Sequence, residues 1–350
     1  VSPELLCTAV LLGEPIAGDD LAQKAYSGLC LGGGVFVNAC LAGCDFRGSD
    51  LRETTFDNCD LRGALFDSAA LRSAVFNRCN LDHVNFRKAN LHGATFSECV
   101  LSHAQLGETL LSMVTFFQCG LDHASLAGAE LDSAVISESS LRDVNADDTR
   151  WLHAIVDGCD MAQSTWARAR MTRTVFQKVV LARMSFAGLS LDACLFSGTD
   201  LTGARFAGAA LARCNFQDAL LDDADFSKIR APQALFCSAR GARVNFSGAE
   251  LRQALFTGAQ LPGALFRGAD LHQAHFGQAM LANAHLGDCE LSYADFRHAD
   301  LRRVDASGAR MFRTCLHATR TEGAEFTDRG SALETDADLQ AAEQWAPQVQ

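Results

Sequence analysis

Proline, tyrosine and tryptophan are scarce in this chain of 350 residues, which has 5 Pro, 2 Tyr and 3 Trp. That scarcity excludes a core of varied large side chains. With 23 Phe and a hydrophobic content of 48%, the core has to be made from one or two apolar residue types used over and over. Long hydrophobic runs are missing too. The apolar stretch of Leu5, Leu6, Ala9, Val10, Leu11 and Leu12 is too short to span a bilayer and has no positively charged lead, so no membrane span or targeting segment is expected. No G-x-S-x-G, H-E-x-x-H or phosphate-binding loop occurs, and Gly32-Gly33-Gly34 lies where the first coil starts rather than between a strand and a helix. Catalytic and cofactor-binding residues are therefore not expected, and the chain is not read as an enzyme.

Cysteine is not scarce. The 14 Cys are spread along a large chain rather than crowded into a small one, which points to reduced, buried side chains and to the cytoplasm; the chain begins at Val1, so secretion stays open. The formal net charge is -12, of which residues 1–20 and 328–350 carry -4 each and residues 21–327 only -4. The acidity is concentrated at the ends.

With few exceptions an apolar residue recurs at every fifth position from Leu31 through Phe36, Leu41 and Phe46 to Phe326, usually with a small residue two places before it. A period of five gives no amphipathic face on a helix or a strand. If the chain turns a corner after each pentad, every centre can point at one axis, which makes a solenoid. Leu and Phe alternate, and Cys59, Cys79, Cys99, Cys119 and Cys159 stand 20 apart with Ser139 in the gap, so four pentads make one coil and residues 31–327 make about 15 coils.

Segments such as Gly203-Ala204-Arg205-Phe206 and Gly268-Ala269-Asp270-Leu271 resemble the pentapeptide-repeat family over about 300 residues. The resemblance implies an all-β, right-handed quadrilateral parallel β-helix with stacked Leu and Phe ladders inside. It does not imply a single function.

The expected organisation is an N-terminal cap over 1–30, the β-helix over 31–327, and an acidic tail over 328–350. In the tail Thr335 is expected to cap a short helix whose Leu339, Ala342 and Trp345 point inward. Two stretches break the pattern. Ala146 and Trp166 should stack, the indole filling the space the alanine leaves. Ala231 and Gly241 stand where Leu belongs, so a distortion or packing gap is expected beside them.

Two columns invite a functional reading. His83, His103 and His123 should stack on the outside, followed by Asp143; duplicated coils account for such a column and no metal site is expected. Val135, Ile155, Val175, Leu195, Asn215, Leu235 and Leu255 should form an apolar stripe, although β-branched residues also suit a flat wall. The stripe, less its Asn, is the candidate partner-binding surface, for another protein or a second copy in a homodimer.

The favoured function is a non-enzymatic protein-interaction scaffold. The tail from Met311 to Trp345 is similar to pentapeptide modules associated with effector-loading adaptors of bacterial type VI secretion. An alternative is a DNA mimic that occupies a type II topoisomerase, against which outward Arg52, Arg62, Arg72, Arg87 and Arg142 interrupt Asp57, Asp60, Asp67 and Asp82. A secreted effector is the third reading. Direct nucleic-acid binding has no basic, aromatic-studded face to support it.

Overall fold

The computed structural model describes residues 2–345. Its chain is an all-β parallel solenoid that divides into two compact units, Val1–Leu181 and Ala182–Gln350. In the first unit each residue pairs with the one 20 further on along four sides, as in Phe36↔Phe56, Cys40↔Asp60, Asp45↔Leu65 and Asp50↔Ala70. The second unit repeats this with Leu195↔Asn215, Asp200↔Leu220, Arg205↔Asp225 and Ala210↔Arg230.

Corners make this possible. Two residues past each centre the backbone enters the left-handed region, at Gly43 with φ +65° and Asn58 with φ +53°. At most corners the next amide closes a turn on the centre, Cys44 N–H donating to Leu41 O at 3.1 Å. Inside, the Phe rings stack: Phe36, Phe56, Phe76, Phe96 and Phe116 have centroid spacings of 5.0, 4.9, 4.7 and 4.8 Å in the first unit. A second ladder meets this one edge-on, Phe56 and Phe66 at 80°. Each buried Phe or Leu contributes roughly 1.5–3 kcal/mol, and edge contacts between ladders add to that.

The ladder reaches back further than Leu31. Ile16, Leu21 and Tyr26 are buried centres, and Ile16 pairs with Phe36. Tyr26 takes a Phe position, its ring 5.5 Å from that of Phe46, so a Phe-and-Leu frame overlooks this first coil. The helical cap is confined to α1 (Pro3–Leu12), with Ser2 as N-cap and Gly13 closing its end in the left-handed conformation. Only Leu6 of α1 is buried; Leu5, Leu11 and Leu12 are exposed.

Two sides of the first unit are stranded: on one, Glu130–Asp132, Arg150–Leu152 and Arg170–Thr172 pair, and on the other the series is longer. Val35–Val37, Thr55–Asp57, Val75–Asn77 and their successors to Val175–Gln177 are paired three-residue strands. Corners after these strands lack the closing turn bond, and the cysteine column lies just beyond them. Cys79 N–H donates to Cys99 Sγ at 3.4 Å and Cys119 N–H to Ser139 Oγ at 3.0 Å, while each thiol donates to carbonyls, Cys99 to Phe76 O at 3.4 Å. At these two wide corners the column supplies the acceptor that the amide would otherwise lack. In the second unit the same side is turned instead, with Thr199 N–H on Phe196 O at 3.2 Å.

At the C-terminal end Glu325–Phe326 pairs with Asp305–Ala306, and α2 (Ala337–Glu343) follows. Its N-cap is Asp336, whose carboxylate accepts from Leu339 N–H, and not Thr335, whose hydroxyl accepts from Ala318 N–H at 3.2 Å. Leu339 and Trp345 are exposed at 41% and 74% rather than turned inward. Polar contacts from Glu343 attach this helix, so its apolar residues are free to face water.

Both irregular stretches are repaired differently. Ala146 and Trp166 are both buried, and the Trp166 ring lies 5.6 Å from that of Trp151. At Gly241 there is distortion but no gap. Backbone already occupies the space a side chain would fill, since a Cβ on Gly241 would lie 2.7 Å from Leu221 C, and the bond from Arg243 N–H to Pro262 O stretches to 3.4 Å.

Gly241→Ala is therefore expected to destabilise by about 1–3 kcal/mol through overpacking, read as a lowered denaturant midpoint. A second outcome concerns the cysteine column. Cys99→Ser, which keeps an acceptor, should leave the midpoint close to that of the parent, whereas Cys99→Ala orphans the Cys79 amide and should cost about 1 kcal/mol or more.

Candidate interaction surface

Side chains just before each centre point outward and build one column per side. In the first unit Val135, Ile155 and Val175 occupy consecutive rungs of the longer stranded side, paired Val135↔Ile155 and Ile155↔Val175. In the second unit Leu195, Leu235 and Leu255 occupy the equivalent side, with Asn215 between the first two. Ile155 and Leu195 are exposed at 42% and 38%, and the other four are half-buried between their neighbours above and below. The columns exist as expected but are flatter than side chains standing free of a wall.

Strand preference accounts for only part of this. β-branched residues suit the extended strands of the first unit, and Thr55, Val75 and Thr95 occupy the same column there. Leu195, Leu235 and Leu255 are not β-branched and stand on a side built of turns. Nothing in the local backbone calls for leucine at those sites.

Charge on the surface is paired locally. Asp45 and Arg47, Asp60 and Arg62, and Asp300 and Arg302 flank a centre and meet at 2.8, 2.7 and 2.5 Å. Hydrogen bonds from Arg47 hold the Asp45 carboxyl below the usual carboxylate range. In the second unit Glu250, Asp270 and Glu290 form an acidic column, but Arg230 and Arg310 bound it and Arg252 reaches Asp270 at 3.1 Å.

His83, His103 and His123 do stack on the outside, with ring centroids 4.6 and 5.0 Å apart and planes within 7° and 9°. Asp143 follows His123 at 3.8 Å. The cysteines of the wide corner are buried and free, and burial pushes the Cys159 thiol up to about 11.

Sequence reasoning missed two features. The half-buried His272 and the exposed Tyr293 and Phe312 make an aromatic cluster, Tyr293 meeting the other two edge-on at 5.7 and 5.6 Å; rings at corners otherwise held by small or polar residues were the available signal. The other is the clasp on α2. Glu343 accepts from His317 Nε2 at 3.2 Å and from His298 Nε2 at 3.3 Å, while His317 Nδ1 accepts from Asp336 N–H at 3.1 Å. His317 is 2% exposed. No periodicity joins residue 343 to 298 and 317, so this contact was not legible. Beside α2 lies a shallow groove of about 740 Å³ lined by Arg297, Cys315, Leu333 and Leu339.

The clasp has a pH dependence. His317, and then His298, donate to Glu343 and lower its pKa from the ordinary 4.5. A lowered carboxyl stabilises the docked helix above its unfolded value and loses that contribution as pH falls through its folded value. Amide exchange over 336–343 should rise selectively on acidification below about pH 4.5. Glu343→Gln should show the fast exchange already at neutral pH.

Among described residues no helix is long and apolar enough to cross a membrane. A family model described as a pentapeptide repeat region matches residues 34–103 and 69–151. A second, pentapeptide repeats in eight copies, matches 181–218, 190–227, 219–258, 245–281 and 279–317. Solved structures include a trypsin-treated variant of QnrB1, a plasmid-mediated fluoroquinolone resistance protein, at 18% identity over 43% of this chain and 90% of that one with a TM-score of 0.31. HetL, a pentapeptide repeat protein involved in heterocyst differentiation regulation in the cyanobacterium Nostoc sp. strain PCC 7120, is 20% identical over 89% of this chain and 95% of that one with a TM-score of 0.17. A pentapeptide repeat protein of the Arabidopsis thaliana thylakoid lumen is 24% identical over 31% and 72%, with a TM-score of 0.19. No curated protein matches.

Proposed function

The chain belongs to the pentapeptide-repeat family, and from that premise we propose that it is a non-enzymatic scaffold that binds a protein partner through the apolar columns Val135, Ile155, Val175 and Leu195, Leu235, Leu255. The observation that carries this reading is the half-exposed leucines of the second unit. They stand on turned backbone where strand preference does not ask for them, and burying such side chains against a partner is favourable at roughly 25 cal/mol per Å².

Two partner classes follow from the family resemblance. A secretion adaptor suits a scaffold with an apolar contact surface. A type II topoisomerase, reached by DNA mimicry, asks for a continuous acidic face; the paired Asp and Arg residues and the bounded Glu250, Asp270, Glu290 column weigh against it.

Affinity capture from a native lysate tests the proposal. The Val175→Asp, Leu195→Asp pair, shown by circular dichroism to be folded, should lose at least about tenfold of a specific captured protein, as expected for charges buried unpaired in an interface. Leu220→Asp, at an equally exposed leucine on another side, should capture it as well as the parent. Equal capture by all three proteins would remove the columns from consideration.

A further inference from the structure

Two groups among the described residues bring three metal-competent atoms within 4.8 Å of one another: Asp82, His83 and His103 in the first unit, and His298, His317 and Glu343 in the second. Their hydrogen bonds separate them. His317 Nδ1 accepts from Asp336 N–H, which leaves Nε2 as the protonated nitrogen, and that proton points at Glu343. A nitrogen that spends its proton on a carboxylate has no lone pair for a cation. The second group is a clasp between protein atoms.

In the first group neither ring nitrogen of His83 or His103 is taken by a hydrogen bond among the described residues. The polar neighbour is Asp82, its Oδ2 lying 3.8 Å from His83 Nε2. We propose that Asp82, His83 and His103 bind a divalent cation of the Zn²⁺, Cu²⁺ or Ni²⁺ class, a site that tethers two consecutive coils on their outer surface.

The fold has already arranged the ligands. His83 and His103 occupy equivalent corners with φ of +56° and +58°, so their side chains leave the backbone in the same direction. Amide bonds fix the spacing, His83 N–H to Ser102 O at 2.9 Å and His103 N–H to Asp122 O at 3.0 Å. The stacked rings lie 4.6 Å apart. Metal–ligand bonds of about 2.0–2.1 Å in a tetrahedral site need donor atoms about 3.4 Å apart. Closing from the present spacing takes rotation of exposed side chains and no movement of the coils. Two imidazoles and one carboxylate select borderline metals over Mg²⁺ or Ca²⁺, and solvent reaches the site, His83 being 66% exposed at its side chain. Periodicity alone showed the histidine column; the third ligand, Asp82, belongs to a neighbouring column and enters only through the corner geometry.

Titration of the tag-free, chelator-treated full chain with Zn²⁺ alone, and electron paramagnetic resonance with Cu²⁺ alone, tests this. One ion per chain should bind, with two nitrogens coupled to the copper and no uptake of Mg²⁺. His83→Asn and His103→Asn, chosen because Asn tolerates the left-handed corner, should each weaken binding at least about tenfold while circular dichroism stays unchanged, and Glu343→Gln should bind as the parent does. No uptake at sub-millimolar ion, binding unchanged in both Asn variants, or binding lost only in Glu343→Gln would each overturn the proposal.

Discussion

Every other feature of this protein depends on the bond that hangs one coil on the next. The amide of a centre donates to the carbonyl 19 residues ahead, as Leu41 to Asp60 at 2.7 Å, and the amide before the next centre returns the bond, as Asp60 to Ala39 at 3.0 Å. Neither partner is optional, since a buried amide left unpaired costs about as much as a typical mutation takes from a fold. The Phe stacks, the outward columns and the shared direction of the histidines all follow from the constant spacing these bonds impose. Side-chain choice then acts within a frame the backbone has set.

Where the sequence carries a period, the structure was readable from it. Centres, small residues two places earlier and the 20-residue column of cysteines all predict the coil, because each reports on the same geometric repeat. Legibility fails where a residue departs from the repeat's alphabet or acts out of register. Ile16 and Tyr26 form the first coil without being Leu or Phe. Gly241 reads as a hole, but the Leu221 backbone already lies where its side chain would go. The α2 clasp joins His298 and His317 to Glu343 across chain distances that are not multiples of anything.

The cysteine column shows how a correct placement can hide its cause. Buried, reduced thiols were expected from composition; Cys30 is exposed and Cys7, Cys40, Cys237 and Cys315 are half-buried, whereas those of the column are buried. Their hydrogen bonding was not expected. Small apolar residues such as Ala64 and Ala74 fill the corresponding position at turned corners, where the amide is already satisfied by the centre's carbonyl, as Ala64 N–H is by Leu61 O at 3.0 Å. At the stranded corners after Phe76 and Phe116 that bond is missing, and the Cys99 thiol and the Ser139 hydroxyl take its place. Ser139 reads as a substitution in a cysteine series only until the acceptor is recognised as the common property.

The 20-residue pairing has a genetic corollary. Inserting or deleting one whole coil leaves every later residue facing as before, so such proteins can lengthen by tandem duplication with little disruption. An insertion of a single pentad keeps the centres inward yet carries all downstream residues round by a quarter turn. Phe would then lie over Leu, and each external column would resume on the wrong wall. Lineages descended from such a gene should differ in length by multiples of twenty far more often than by odd multiples of five, with shorter changes confined to the two ends where no further coil has to be matched.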